Sequence, residues 1–256
     1  MSEPRRRVVG PLLALCAVFA WAAIAFAQTP DAAAIVRKAD QARGGDLDSG
    51  VAMESSIVSL KDGKPVRSYT VQIESSGGNS LVVFTEPAFS RGTKMLIRQR
   101  NMWFLSNDVK KPVPISPRQR LLGDAANGDI ATVNFARDYN AKITGEATVE
   151  GQNCHVIELT AKTRDTAYDR IVYYVAKDSQ LGIKAEYYTV SGKLFKSAIM
   201  RYENALTIGG RRSPFISRME ISDALDRKQK TVLTYRNPAL RTIPPSRFDL
   251  QTLMTR

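Results

Sequence analysis

The sequence has few of the side chains on which most catalytic and metal sites depend. Among 256 residues it contains two cysteines and one histidine. His155 is therefore the single candidate base for a Ser-His-Asp arrangement, and its alternation with Ile157 and Leu159 favours a packed position on a strand. The chain has no HxxxH or CxxC spacing and no glycine-rich phosphate loop before a helix. We therefore expect no metal, no cofactor and no enzymatic activity.

The start of the chain has the three parts of a secretory signal peptide. Arg5–Arg7 are basic, Val8–Phe26 is an uncharged and mostly apolar run, and Ala25-Phe26-Ala27 offers small residues at a cleavage site. This pattern predicts a signal peptide over residues 1–27, cleaved after Ala27, and a periplasmic mature chain of residues 28–256. An uncleaved membrane anchor is the alternative, because a run of 19 residues is just long enough to span a bilayer.

The mature chain has one cysteine and a surplus of basic residues. Cys154 has no partner for an internal disulfide, so we expect a buried, inert thiol. The whole chain has a formal net charge of +12, which could attract nucleic acid or anionic membrane. The basic residues are interleaved with acids, as in Lys61-Asp62 and Lys177-Asp178, and form no block with stacking aromatics. We expect no nucleic-acid binding. A transient contact with anionic lipid headgroups is one explanation of the basic charge, and a generally solvated surface is the safer alternative.

A helix is predicted directly after the cleavage site. Thr29 or Asp31 can cap it, and Gly44-Gly45 ends it after about Arg43. Its apolar residues recur at helical spacing, at Ala32, Ile35, Val36 and Ala39.

Beyond this helix the hydrophobic period changes to two, which is typical of strands. Alternation is clearest at Tyr69, Val71 and Ile73 and at Ile183, Ala185 and Tyr187, and turn signals such as Asp62-Gly63 and Gly77-Gly78 separate the runs. Roughly eleven strands are predicted, as in a large antiparallel sheet or barrel. The proline-bearing segment Lys110–Tyr139 interrupts this pattern and is predicted to be a long loop with one or two short helices.

Several blocks between Phe84 and Ile221 resemble, in their order and spacing, the LolA-like family of outer-membrane lipoprotein-sorting proteins and their relatives. The resemblance covers well over half of the mature chain. Its blocks are Thr85-Glu86-Pro87, Arg91-Gly92-Thr93-Lys94-Met95-Leu96, Met102-Trp103-Phe104-Leu105, the loop with Arg118 and Arg120, Asp129-Ile130-Ala131, Asn134-Phe135, Tyr139, Val175-Ala176-Lys177-Asp178, Lys184-Ala185-Glu186-Tyr187-Tyr188 and Gly192-Lys193-Leu194.

The resemblance implies a mainly β fold, namely a strongly curved antiparallel half-barrel with helices covering its concave face. An apolar cavity between sheet and helices would hold the acyl chains of lipid or lipoprotein. The implied function is a periplasmic carrier without catalytic activity, monomeric, which works with a membrane-embedded exporter of the RND type. A periplasmic sensor or regulatory binding module of the envelope-stress type is the alternative.

The residues expected to line this cavity come from three of the predicted strands. Alternation indicates that a strand has one buried face, but it does not distinguish a ligand cavity from ordinary core. The candidate lipid-binding residues are Tyr69, Val71, Ile73, Met95, Ile97, Trp103 and Leu105.

Overall fold

The computed structural model describes residues 30–47, 49–106, 108–109, 111–130, 134–226 and 228–254. The predicted signal peptide, its cleavage site and Thr29 lie outside these residues. The described part is mainly β, with a thirteen-stranded antiparallel sheet, two two-stranded sheets and a few short helices. None of the helices in this part is long and apolar enough to cross a membrane.

The strands follow one another along the chain with short connections. In chain order they are β1 (Gly50–Lys61), β2 (Lys64–Ser76), β3 (Asn79–Glu86), β4 (Lys94–Arg98), β5 (Asn101–Leu105), β6 (Val113–Ile115), β7 (Arg120–Leu122), β8 (Ala125–Ala126), β9 (Tyr139–Val149), β10 (Gln152–Ala161), β11 (Arg170–Ala176), β12 (Gly182–Tyr188), β13 (Leu194–Arg201), β14 (Asn204–Ile208), β15 (Arg211–Phe215), β16 (Arg218–Asp223) and β17 (Gln229–Arg241). The helices are α1 (Ala32–Gln41), α2 (Asn127–Ile130), α3 (Phe135–Asp138) and α4 (Leu250–Met254), with 3₁₀ turns at Ala88–Ser90 and Pro245–Phe248.

The large sheet has the strand order β6-β5-β4-β3-β2-β1-β17-β16-β13-β12-β11-β10-β9. Neighbours are mostly consecutive hairpins, but β17 lies between β1 and β16 and joins the two halves. The sheet has more strands than the roughly eleven that were predicted. The sequence prediction missed short strands such as β6, and it recognised only the last three residues of β9, whose side chains alternate between half-buried and exposed along most of its length.

Helix α1 forms as its sequence predicts. The Asp31 side chain caps it by accepting a hydrogen bond from the backbone N–H of Ala33 at 2.9 Å. Ile35 and Val36 are buried on the apolar face, together with Ala39. The chain leaves the helix through Gly44, whose φ of 88° favours glycine.

The two faces of the sheet are covered by different parts of the chain. One face, here called the helix face, packs against α1, α2, α3 and the β7–β8 hairpin in a single large apolar cluster that includes Ile57, Val71 and Phe135. The opposite face is covered at β3–β5 by residues 243–254, called the C-terminal segment below. Phe248 and Leu253 of this segment pack there in a separate cluster. Strands β3 and β4 are therefore buried on both sides, and their apolar runs are nearly continuous for that reason.

Candidate functional site

Residues 120–130, called the covering segment below, lie across the helix face of the sheet. They follow β6, the edge strand paired with β5, and form the β7–β8 hairpin and α2. In the hairpin the backbone N–H of Asp124 donates a hydrogen bond to the Thr231 hydroxyl at 2.8 Å. Gly123 has a φ of +53°, and a Cβ there would overlap the hydroxyls of Thr231 and Ser59. The hairpin therefore approaches the sheet closely.

A buried ion pair holds the covering segment to the sheet. The Asp129 carboxylate in α2 lies 2.5 Å from Nζ of Lys196 in β13, and the two side chains are only 3% and 4% exposed. The same carboxylate accepts hydrogen bonds from the Tyr168 hydroxyl at 2.7 Å and from the backbone N–H of Ala126 at 2.8 Å. Lys196 also donates to the carbonyl of Asp124 at 3.2 Å. Buried charges persist when they are paired in this way.

Aromatic rings complete the environment of the Lys196 ammonium group. It lies 4.7 Å from the ring centroid of Tyr168 and 5.0 Å from that of Tyr187, within the range of cation–π attraction. Burial raises the pKa of both tyrosines well above the usual value. The phenols are therefore neutral, and that of Tyr168 is a hydrogen-bond donor to Asp129.

A second buried polar group connects α1 with α3. The Asp40 carboxylate accepts a hydrogen bond from the backbone N–H of Ala136 at 2.8 Å, while its other oxygen has no hydrogen-bond partner among the described residues. Burial raises the pKa of Asp40 from 3.8 to about 7. Arg43, one turn further along the chain, stacks its guanidinium over the Phe135 ring at 4.9 Å from the centroid.

Tyr173 lies beneath this polar group with its hydroxyl fully buried. Its ring has room because residue 182 is a glycine, since a Cβ at Gly182 would fall on the phenol. The Tyr202 hydroxyl donates to the Gly182 carbonyl at 2.8 Å, which adds a further buried polar contact on this part of the sheet.

The space between the sheet and its coverings is nearly filled beside the β4–β5 hairpin. A cavity of about 50 Å³ lies beside Ile97, Met102 and Tyr139, and it has room for only a few water molecules. Its polar wall is formed by Arg100 and Arg137, which both pair with Asp138, at 3.0 and 2.8 Å. The helix face is therefore closed at this hairpin, whereas larger spaces of about 340 and 740 Å³ open beside Lys196 and beside α1.

The structure separates the seven candidate lipid-binding residues into two groups. Val71, Ile73, Met95 and Ile97 are buried on the helix face, and half-buried Tyr69 packs against the same cluster. Trp103 and Leu105 belong instead to the opposite face, under the C-terminal segment. One cavity cannot be lined by all seven residues.

The division follows from the register of the β4–β5 hairpin. Ile97 pairs with Met102, and Met95 pairs with Phe104, so Met102 and Phe104 share the helix face. Trp103 pairs with Leu96 and therefore points to the other side, because successive side chains of a strand alternate. The two-residue turn that joins the strands fixes this register and could have been used to assign Trp103 and Leu105 to the face opposite Ile97.

Four aromatic rings run from an exposed position to the helix face. Phe89, in the first 3₁₀ turn, is 77% exposed and lies 6.3 Å from the ring centroid of Tyr69. Tyr69 contacts Phe84 at 5.4 Å, and Phe84 contacts Phe104 at 6.4 Å, in each case edge to face. These four rings, called the aromatic file below, form a continuous series of contacts from solvent to the apolar cluster.

The polar residues of the site were not predicted, although their spacing carries a signal. Lys196 lies two residues before Ala198 on β13 and thus at a buried position of the alternation. Asp40 lies four residues after Val36, on the apolar face of α1. A charged residue at a core position of the pattern is the sign of a buried polar contact. Among the described residues no group of three or more His, Cys, Asp or Glu could hold a metal ion.

Comparisons with known proteins give the class of fold. A family model described only as that of an uncharacterized protein matches residues 77–255. A LolA superfamily protein from Nitrosomonas europaea is similar at 33% identity and a TM-score of 0.76, over 86% of this chain and 98% of that one. No curated protein matches the sequence significantly.

Two further solved structures share the fold at lower identity. A putative outer membrane lipoprotein-sorting protein domain from Vibrio parahaemolyticus has 16% identity and a TM-score of 0.72, over 87% of this chain and 98% of that one. A DUF1329 family protein from Desulfovibrio piger has 24% identity and a TM-score of 0.69, over 87% and 97%. The chain belongs to the LolA superfamily, as its sequence blocks indicated.

The raised pKa of Asp40 predicts an unusual dependence of stability on pH. The folded state holds the proton up to about pH 7, whereas an unfolded aspartate releases it near 3.8. This group therefore stabilises the fold at acidic pH, and its contribution is lost as pH rises through the interval between these values. The variant Asp40→Asn keeps an acceptor for the Ala136 N–H but cannot ionise. We therefore expect it to avoid roughly 2–4 kcal/mol of the decrease in unfolding free energy that the wild type shows between pH 5 and pH 8.

Urea unfolding of both proteins at pH 5 and pH 8 measures the effect. The difference in unfolding free energy between variant and wild type should shift in favour of the variant at pH 8. Asp31→Asn, at the exposed cap of the same helix, serves as the control. An equal difference at both pH values would contradict the assignment.

Proposed function

We propose that this protein is a periplasmic carrier that binds lipid or lipid-modified cargo between the helix face of its sheet and the covering segment. The observation that carries the proposal is the combination of a broad apolar sheet face with a short cover, which packs apolar residues such as Leu122 and Ile130 on that face and is fixed by discrete polar contacts at Asp129–Lys196 and Asp124–Thr231. Such a cover can leave the sheet as a unit, and the face beneath it is chemically suited to acyl chains. Membership of the LolA superfamily supports the same reading.

A strongly curved half-barrel is the shape that we propose for the sheet. The Arg137 guanidinium, next to β9, donates to the carbonyl of Gln99 in the β4–β5 turn at 3.2 Å. Lys162, after β10, donates to the Arg137 carbonyl at 3.0 Å. In a flat sheet β4 and β10 would be roughly 40 Å apart, because strands are about 4.8 Å from one another. These contacts therefore support a sheet whose distant strands approach each other on the helix face.

Binding of an acyl chain against Ile97 and Met102 requires movement of the coverings, because the cavity beside these residues holds only a few waters. Opening would separate Asp129 from Lys196 and expose both charges to water. The file of aromatic rings from Phe89 to Phe104 offers an apolar path that leads from solvent to the uncovered face. Carriage without catalysis needs no group beyond these.

The proposed cargo and the proposed cellular location are inferred from other members of the family. The Vibrio parahaemolyticus domain is described as a putative outer membrane lipoprotein-sorting protein, so lipoprotein acyl chains are the first cargo to test. Periplasmic location agrees with LolA-like proteins and with the signal peptide that residues 1–27 predict. A monomer that receives cargo from an RND-type exporter completes the proposal.

Acyl-chain binding should depend on one face of the β4–β5 hairpin. Ile97 and Leu105 are each 8% exposed, but Ile97 lies on the helix face and Leu105 on the opposite face. Both Ile97→Gln and Leu105→Gln place an amide in apolar surroundings and should cost roughly 1–3 kcal/mol of stability. Only Ile97→Gln should also weaken the binding of a fluorescent fatty acid, by roughly tenfold.

Fluorescence titration on the folded variants, with urea unfolding in parallel, separates the two effects. Native mass spectrometry of protein from its own host would identify the natural cargo. Equal binding by both variants would count against the helix face as the site, and no binding by the wild type would count against the carrier.

Export predicts a new N-terminus at Gln28. The small residues at Ala25 and Ala27 fit the positions that a signal peptidase reads, so the mature protein should lack residues 1–27. N-terminal sequencing of protein from the periplasmic fraction measures this. A full-length species that remains with the membrane would support the anchor instead.

A carrier without an energy source must obtain its cargo from a membrane protein. In-cell crosslinking should therefore capture an RND-type exporter, and the yield should fall when the covering segment is held closed. Capture of the periplasmic part of an anti-sigma factor in place of an exporter would favour the sensor hypothesis.

A further inference from the structure

Strongly exposed large apolar side chains are concentrated at one end of the sheet. Six of the seven that occur among the described residues lie in or beside the connections at the end where β1 passes into β2, and the seventh, Met254, lies in α4. The six are Val66, Phe89, Val109, Val113, Val190 and Leu225. Single exposed apolar residues are ordinary, but turn tips are normally polar, so this distribution needs an explanation.

Four of these residues lie along a continuous rim. The β1–β2 and β16–β17 hairpins are joined by a hydrogen bond from the Asp62 N–H to the Lys228 carbonyl at 3.0 Å. The β16–β17 and β12–β13 hairpins are joined by one from the Ala224 N–H to the Phe195 carbonyl at 2.9 Å. The contact of Phe89 with Tyr69 of β2 adds the 3₁₀ turn to the same series.

We call this series the rim, defined by residues 61–67, 86–91, 189–193 and 223–230. Its apolar members Val66, Phe89, Val190 and Leu225 are 66%, 77%, 83% and 74% exposed. These values leave most of each side chain in water. None of the four therefore contributes much to the core.

The rim is also basic. Its described residues include seven lysines and arginines but only four carboxylates. Two of the carboxylates are paired within the rim, Glu86 with Arg91 and Asp62 with Lys228, and Asp223 accepts two backbone N–H groups of its own turn. Lys61, Lys64, Arg67, Lys193 and Lys230 form no ion pair with another described residue.

From these observations we infer that the rim docks reversibly on the surface of an anionic lipid bilayer. Phe89, Val190 and Leu225 would enter the headgroup region, where apolar side chains leave water, while Lys64 and Arg67 meet the lipid phosphates. The charge of the rim is complementary to an anionic surface, and its apolar tips distinguish it from an ordinary solvated basic surface.

The inference deepens the proposed carrier function, because the aromatic file begins at Phe89. Docking of the rim places the entrance of that file at the lipid surface. An acyl chain would then pass between bilayer and helix face along Tyr69 and Phe84 without crossing bulk water.

Vesicle flotation of residues 28–256 tests the inference. This form contains the compact unit that begins at Asp31 and lacks the apolar run Val8–Phe26, which would bind lipid by itself. Vesicles of phosphatidylcholine with phosphatidylglycerol should bind the protein, binding should fall as salt rises, and pure phosphatidylcholine should bind it weakly.

Two sets of variants, each with a matched control, identify the surface. The combined variant Phe89→Ser, Val190→Ser, Leu225→Ser should lose roughly tenfold in vesicle affinity, while Met254→Ser, at an exposed apolar residue outside the rim, should bind as the wild type does. Lys64→Glu with Arg67→Glu should weaken binding more than Arg211→Glu with Arg212→Glu at the start of β15, which is not part of the rim.

The outcomes separate docking from cargo binding. The double variant Val190→Ser, Leu225→Ser, which leaves the aromatic rings from Phe89 to Phe104 intact, should keep its affinity for the fluorescent fatty acid, since neither residue lies on the helix face. Val190→Ser alone, at an 83% exposed position, should also lower vesicle affinity, and it provides the test if the combined variant does not fold. No binding of the wild type to anionic vesicles, or equal binding by the combined variant and Met254→Ser, would overturn the inference.

Discussion

The buried ion pair between Asp129 and Lys196 holds the covering segment against the apolar face of the sheet. Removing one member of a buried pair typically costs about 3–5 kcal/mol, because the other charge is left without a partner. Movement of the whole segment has a different consequence, since both charges then reach water together. The contact therefore favours two arrangements, fully closed or fully open, over partly displaced ones. Tyr168 belongs to the same unit through its hydrogen bond to Asp129.

The second constraint is that the two faces of the sheet are covered by different parts of the chain. Around β3–β5 both faces are apolar, with Met95 and Ile97 on one and Leu81 and Leu96 on the other. The C-terminal segment covers the opposite face there, and its Arg247 pairs with Glu74 of β2 at 2.5 Å. These strands would therefore keep one covered face in the open state that we propose. A firm sheet beneath a movable cover is the arrangement that the proposed carrier function needs.

Local sequence signals predicted the parts of the fold that local forces determine. Asp31 as a cap, the apolar spacing of Ile35 and Val36, and the alternation from Tyr69 to Ile73 each correspond to the structure. The sequence analysis grouped Trp103 and Leu105 with Ile97, whereas the structure places them on the opposite face, because the nearly continuous apolar run Met102–Leu105 gives no periodicity by which to choose a face. The register of its hairpin contained the missing information.

The polar contacts that hold the cover could not be derived in the same way. Asp129 and Lys196 are 67 positions apart in the sequence, and the residues that flank each of them do not indicate the other as its partner. Their pairing arises from the path of the chain across the sheet, which no local pattern encodes. A lysine at a buried position of β13 signals only that some acceptor must be present.

The place of β17 in the sheet has a consequence for how the chain reaches its native state. This strand, contributed by residues 229–241, lies between β1 and β16 and pairs along its whole length with the first strand of the chain. The middle of the sheet cannot form until nearly the entire polypeptide is available, and contacts so distant in sequence form slowly. A nascent chain therefore has no route to a premature complete sheet. That delay agrees with the export that the predicted signal peptide implies, in which the chain passes through a translocation channel in extended form before it folds.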